Sequence, residues 1–271
     1  MTTINTNVAS LRAQVALMQN SRGLYSTMQQ LSTGKRLNSA ADDAAGIAIV
    51  ATMHGQVRSL NQEIRNANDG ISLLQTADSS TEQVTQMLQR MRELVSQALN
   101  GTYSSADVTN MGTEVSAIQD EIDRVASDTS WNGTVLLDGT YSGKTIQISD
   151  TNALTLSTGN VKTSNLGIDN TVVNFTTSTV SANWIKLIDT AIGTVSTARA
   201  SMGAMVNRLN YAVDNLTNTS TNLSASTSRI EDTDYSAATS ELAKHQILQQ
   251  AATAMLAQAN QQPQLVLSLL K

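Results

Sequence analysis

The chain has no cysteine, one proline and one phenylalanine, and aromatic residues make up only 3% of its 271 positions. Without cysteine there can be no disulfide framework, no thiolate-held zinc or iron–sulfur centre and no cysteine nucleophile. Only two histidines are present, His54 and His245. Neither has a second histidine or a carboxylate pair at ligand spacing, so both read as ordinary helix-surface or contact residues and no metal or other cofactor is expected. Charged residues amount to 14%, well below the roughly 25% usual for soluble domains; Ser, Thr, Asn and Gln must cover the surface instead. The net charge of -5 argues against nucleic acid as the main partner, because phosphate contacts require a basic surface. No run approaches the ~20 apolar residues of a membrane-spanning helix. The candidate run at residues 265–270 is short and broken by Ser268, so no membrane insertion is expected. The opening Met-Thr-Thr-Ile-Asn-Thr-Asn lacks the basic and apolar regions of a cleaved secretory signal, which by itself would suggest a cytoplasmic protein. Phosphate-binding, nucleophile-elbow and zinc-protease motifs are missing, and with them any visible catalytic apparatus: the chain does not read as an enzyme.

What the sequence does contain is helical periodicity. Val50, Met53, Val57, Leu60, Ile64, Ala67, Ile71 and Leu74 recur at alternating spacings of three and four, a heptad seam. Asn38 or Ser39 can cap this helix, with Asp42 and Asp43 at the positive end of its dipole. The phase slips after Leu74 and resumes at Val84, Leu88, Met91, Val95 and Ala98. The expected stop is Asn100-Gly101, with the glycine left-handed. A second seam, Val108, Met111, Val115, Ile118, Ile122 and Val125, is opened by Ser104-Ser105 and stopped by residues 128–133. A third runs from Ile185 through Ile188, Ile192, Val195, Met202, Val206, Leu209, Val213, Leu216 and Leu223 to Ile230, with Arg199, Ser220 and Thr227 as polar intrusions. A first helix of ~57 residues would be ~85 Å long, whereas a compact globule of this size spans roughly 50 Å. The predicted fold is mainly α: an elongated antiparallel helical coiled-coil rod with paired terminal helices and a small β-hairpin region.

Both ends of the chain are amphipathic. Ile4, Val8, Leu11, Val15, Met18, Tyr25, Met28 and Leu31 form one stripe, and Leu242, Ile247, Leu248, Met255, Leu256, Leu265, Val266, Leu267, Leu269 and Leu270 lie along the other end. The plainest reading is an intramolecular pair of helices. Two strands alone would still leave apolar surface exposed, and lateral assembly with other copies would remove it. The N-terminal arm holds Arg12, Arg22, Lys35 and Arg36 with no acid before Asp42; complementarity between subunits explains four scattered charges better than a nucleic-acid or membrane surface does. The middle, 134–180, differs in kind. Ile146 and Ile148, then Leu154 and Leu156, alternate with polar residues across Ser149-Asp150-Thr151-Asn152, which predicts a hairpin; the remainder to about 180 reads as an exposed Thr/Asn-rich excursion.

The ends also resemble a known family. Leu31-Ser32-Thr33-Gly34-Lys35-Arg36-Leu37-Asn38-Ser39-Ala40-Ala41-Asp42-Asp43-Ala44-Ala45-Gly46 resembles the N-terminal signature of bacterial flagellins. Residues 228–235 (Ser-Arg-Ile-Glu-Asp-Thr-Asp-Tyr), 246–251 (Gln-Ile-Leu-Gln-Gln-Ala), 256–261 (Leu-Ala-Gln-Ala-Asn-Gln) and 266–270 (Val-Leu-Ser-Leu-Leu) are similar to the C-terminal signature. The resemblance covers roughly 1–140 and 181–271, and the short middle implies a form lacking the large outer domains.

The resemblance implies a structural subunit that self-polymerises into the flagellar filament used for motility. Segments 1–42 and 231–271 would form the filament-core domain, and 43–133 with 181–230 the helical rod domain. Interface residues would be Ile4, Val8, Leu11, Val15, Met18, Leu31, Leu242, Leu248, Met255, Leu256, Leu265, Val266, Leu267, Leu269 and Leu270. It further implies secretion by the flagellar type III export apparatus to an extracellular filament, with an export chaperone, the filament cap and hook-associated proteins as partners. A vertebrate innate immune receptor would recognise Gln89, Arg90, Leu94 and Glu114, with Arg90 and Leu94 lying beside the seam. Alternatives are a hook–filament junction protein and a soluble coiled-coil adaptor or export chaperone.

Overall fold

A computed structural model of the chain describes residues 6–149, 153–175 and 180–268; side chains are described as far as residue 261. Its elements are α1 (Val8–Thr33), α2 (Ala44–Ala98), α3 (Ser105–Asp128), β1 (Ser130–Trp131), β2 (Thr134–Val135), β3 (Lys144–Gln147), β4 (Ala153–Leu156), α4 (Thr163–Leu166), α5 (Ala182–Glu231) and α6 (Tyr235–Ser268). The chain is 75% helical, which establishes the mainly α class. Within these helices Ser and Thr hydroxyls are satisfied by donating to the carbonyl one turn back, as Thr52 does to Ala48, Ser72 to Asn68 and Thr190 to Lys186.

Helix ends follow local chemistry. Asn7 caps α1 by accepting from the Ser10 N–H at 3.0 Å, and Gly34 closes it in the left-handed region, φ 72°. At the start of α2 the cap is Asp43, whose Oδ1 accepts from the N–H groups of Ala45 and Gly46. Asn38 and Ser39, expected as caps, instead sit in a loop that Asp42 organises by accepting both of their N–H groups. The bonds from the Ser39 and Asn38 N–H groups hold the Asp42 carboxyl below its ordinary range. α2 ends without a left-handed glycine: the Asn100 N–H turns back to the Gln97 carbonyl, and Gly101 keeps an ordinary φ. α3 opens on the reciprocal capping box of Ser104 and Asp107.

The backbone divides into two units, residues 1–57 with 221–271 and residues 58–220. In the first unit, α1 and α6 pair antiparallel: Asn7 bonds the Ala259 carbonyl, Asn20 that of His245, and Tyr235 that of Leu31. The segments that leave α1 and α5 form a short antiparallel bridge, Lys35 against Asp232, with Arg36 N–H to the Glu231 carbonyl at 2.6 Å and Thr233 N–H to that of Gly34 at 2.9 Å.

In the second unit, α2, α3 and α5 surround one apolar cluster. Leu74, Leu88, Met91 and Val95 meet Val115, Ile122 and Ala126 and, from α5, Ile188, Val195, Met202 and Leu209. Each fully buried Leu, Ile, Val or Met among them contributes roughly 1.5–3 kcal/mol. Arg92 pairs with Asp189 and Arg199 with Asp78, which fixes the antiparallel setting of α2 and α5 in this unit.

β3 and β4 form the expected hairpin, with Ile146 opposite Leu154; residues 150–152 of its connection lie outside the described residues. A second hairpin joins β1 to β2. Asn132 (φ 47°) and Gly133 (φ 79°) occupy its turn, the left-handed pair a two-residue hairpin demands. In the sequence these two residues mark only the end of the preceding helix.

The stretch from 157 to 175 corrects the expectation of an exposed excursion. Val161, Leu166, Ile168, Val173 and Phe175 are buried in the cluster, and the Phe175 ring lies 5.2 Å from that of Trp184. Two polar groups of α3 hold the stretch there. Buried Gln119 donates to the carbonyls of Ile168 (2.6 Å) and Val173 (3.1 Å), and Asp123 accepts from the N–H and hydroxyl of Thr163.

Candidate assembly surface

α1 has two contrasting faces. The one turned to α6 carries Asn7, Ser10, Asn20, Gly23 and Thr27, with Ser10 and Thr27 buried. The other carries Val8, Leu11, Val15, Met18, Tyr25 and Met28, all about half exposed or more. Spacings of three and four put these six on one stripe. The pairing within the chain therefore uses the polar, small face and leaves the apolar one uncovered. On α6, Ala238, Leu242, His245, Ala252, Leu256 and Ala259 are buried or half-buried, whereas Ile247, Leu248 and Met255 are exposed. Small residues let the two backbones approach closely along the pair.

Among the residues expected at a subunit interface, the structure leaves Val8, Leu11, Val15, Met18, Leu248 and Met255 uncovered and sets Leu31, Leu242 and Leu256 half-buried within the chain. Leu265, Val266 and Leu267 lie on the α6 backbone, their side chains undescribed; Ile4, Leu269 and Leu270 lie outside the described residues.

Behind this surface is a charged junction the sequence did not advertise. Glu231 is buried; its Oε1 meets Lys35 Nζ at 2.5 Å and its Oε2 meets His54 Nε2 at 2.7 Å. The Lys35 bond, assisted by His54 and opposed by desolvation, holds the Glu231 carboxyl below its ordinary value. Arg36 adds a bond to the Ile230 carbonyl. In sequence these groups are scattered singly at 35, 54 and 231, and only the signature segments around Lys35 and Glu231 hinted at importance.

On the central unit, Gln89, Arg90 and Glu114 are exposed, and Arg90 Nε bonds Glu114 Oε1 at 2.9 Å, which raises the guanidinium pKa. Leu94 was expected beside the seam. It is a core residue, 2% exposed, because α2 is covered by α3 and α5 together and buries a stripe wider than the heptad seam. Among the described residues no group of three or more His, Asp or Glu is placed to hold a metal ion, and no helix is long and apolar enough to cross a membrane.

Paired terminal helices with an uncovered apolar stripe in one unit, and a helical core with small hairpins in the other, define a structural protein built from helices. The comparisons with known proteins identify which one. A family model described as the bacterial flagellin N-terminal helical region matches residues 4–142, and one described as the bacterial flagellin C-terminal helical region matches residues 185–270. The flagellin of Bacillus subtilis (strain 168) is 39% identical over 302 aligned residues, covering 99% of each chain. A crystal structure of Bacillus cereus flagellin aligns at a TM-score of 0.51 and 33% identity over 60% of this chain and 94% of that one. A candidate flagellar hook-associated protein from Vibrio parahaemolyticus aligns at 0.60 but only 16% identity, over 70% of this chain and 100% of that one, a likeness of fold alone. The chain belongs to the bacterial flagellin family, as a short form without large outer domains, and is a structural subunit of the flagellar filament, not an enzyme.

Proposed function

We propose that assembly is driven by the uncovered stripe of α1 together with the exposed apolar residues of α6, which neighbouring copies cover in the filament. The single observation that carries this reading is that α1 spends its polar face on α6 and keeps Val8, Leu11, Val15, Met18, Tyr25 and Met28 in solvent. Two helices that bury little apolar area between them cannot offset their ordering entropy alone. They order fully when copies supply the rest, a coupling of folding to association. In this reading the terminal segments, 1–42 and 231–271, make the filament core, and 43–133 with 181–230 make the surrounding rod. The half-buried Leu31, Leu242 and Leu256 join the contact by steadying the pair, and Ile4, Leu265, Val266, Leu267, Leu269 and Leu270 extend it. Family membership supports export through the flagellar apparatus to the cell exterior, with an export chaperone, the filament cap and hook-associated proteins as partners on the way. Deleting residues 1–31, or 248–271, should abolish growth on sheared filament seeds while the remaining chain stays soluble and helical. A truncated chain that still elongates seeds refutes the reading.

A recognition surface for an innate immune receptor would rest on Gln89, Arg90 and Glu114, the exposed members of that set. A receptor reporter assay in which Arg90→Ala signals as the parent does would remove it.

A further inference from the structure

We infer that Asn20, His245 and Gly23 form the register lock of the terminal helix pair, selecting one antiparallel alignment of α1 and α6 from several that its small, polar seam would otherwise allow. This inference rests on the reading above only where it concerns filaments, since the lock itself is a feature of the single chain.

The bonding at this point is reciprocal. Asn20 Nδ2 donates to the His245 backbone carbonyl at 2.8 Å, so Asn20 Oδ1 is the free acceptor, and His245 Nδ1 lies 2.7 Å from it. That assigns the Nδ1 proton to the histidine as donor. Elsewhere along the pair the side-chain bonds from Asn7 and Tyr235 end on backbone carbonyls, of Ala259 and Leu31. Backbone carbonyls recur at every residue and would be offered equally after a slip. The side chain of His245 would not.

Shape reinforces the bond. The imidazole lies over Gly23, where an added Cβ would come within 2.5 Å of Cε1 and 2.8 Å of Nε2. An added Cβ would force the ring to shift from the position in which it meets Asn20. Gly23 is the only glycine in α1. A slip of one heptad brings the ring over Ala16 or Gln30, and a slip of three or four residues brings it over Gln19, Asn20, Ser26 or Thr27. Each of these carries a Cβ, and after a heptad slip Asn20 itself faces Ala238 or Ala252, which offer no side-chain partner. A single polar residue in a helix seam can fix register in this way at some cost in stability.

The test is disulfide trapping in the full-length chain, which has no cysteine of its own. The Asn20–His245 and Asn7–Ala259 contacts place Ala13 opposite Ala252 in the observed register, and a heptad slip would place it opposite Ala259. The pairs Ala13→Cys with Ala252→Cys and Ala13→Cys with Ala259→Cys therefore report native and slipped alignment, since bridging needs Cα atoms within about 7 Å. Crosslinking is read on the soluble chain and on filaments grown from seeds. In the parent background we expect the 13–252 bridge to dominate. With Asn20→Leu and His245→Leu together we expect it to fall severalfold while the 13–259 bridge appears, and Gly23→Ala should act in the same direction with both polar partners intact. Exclusive 13–252 bridging in these variants, or its absence from the parent, would overturn the inference. A parent chain that crosslinks as expected but does not elongate seeds would contradict the assembly reading and leave the lock standing.

Discussion

Replacing Leu11, Val15 and Met18 together by glutamine should raise the critical concentration for filament growth about a hundredfold. The three side chains are 53%, 49% and 57% exposed in the chain. Complete burial of such a side chain contributes roughly 1.5–3 kcal/mol, so covering the exposed half supplies about 1 kcal/mol each, or about 3 kcal/mol for the three. At about 1.4 kcal/mol per tenfold in an equilibrium constant, that is about two decades. Glutamine is a better helix former than valine and close to leucine and methionine, and the three positions lie away from α6, so neither α1 nor its pairing should be weakened. The assay is seeded elongation over a concentration series, with the residual soluble protein measured after sedimentation. An unchanged critical concentration would show that this stripe is not a growth contact and would refute the reasoning.

Three further outcomes are expected. Gln119→Leu removes two bonds from buried carbonyls, each costing about 1–3 kcal/mol when left unmade, and removes one buried unpartnered oxygen, Gln119 Oε1; a net loss of about 1–3 kcal/mol should lower the melting temperature by several degrees, and an unchanged melt followed by Trp184 fluorescence would contradict the clamp. Glu231→Gln should flatten the acid limb of stability. Because the folded carboxyl is held below its ordinary value of 4.5, its contribution is in place above that pH and is lost as the pH falls through the depressed value; parent and variant melting curves should therefore converge at low pH and separate above it, and a constant gap would contradict the Lys35 and His54 assignment. Gly112→Val should destabilise the central unit by about 1–3 kcal/mol through overpacking, since even a Cβ there would come within 2.4 Å of Phe175 Cβ; a variant as stable as the parent in urea would show that Phe175 can move aside.

Much of this was legible in the sequence. The α2, α3 and α5 seams and the Ser104 cap follow from spacing and side-chain chemistry, which act locally. The failures came where a third element decides. Leu94 lies off the two-stranded seam and is buried only because α3 and α5 both cover α2. Residues 157–175 look like a polar loop because their few apolar side chains follow no period; they are drawn inward by Gln119 and Asp123, which are distant in sequence. The sequence also showed that α1 is amphipathic without showing which face meets α6. Burial within the chain normally takes the apolar face, and here the polar one is used, with Asn20 and His245 as the reason a single alignment is kept.

The central claim is that copies of the chain cover the stripe the chain itself leaves bare, and methionine footprinting tests it most directly. Met18, Met28 and Met255 are exposed, whereas Met91 and Met202 are buried in the central core. With mild peroxide and peptide mass analysis, the first three should oxidise readily in soluble protein and become strongly protected in filaments, while Met91 and Met202 stay slow in both states. Met18, Met28 and Met255 oxidising as fast in filaments as in the soluble chain would contradict the account.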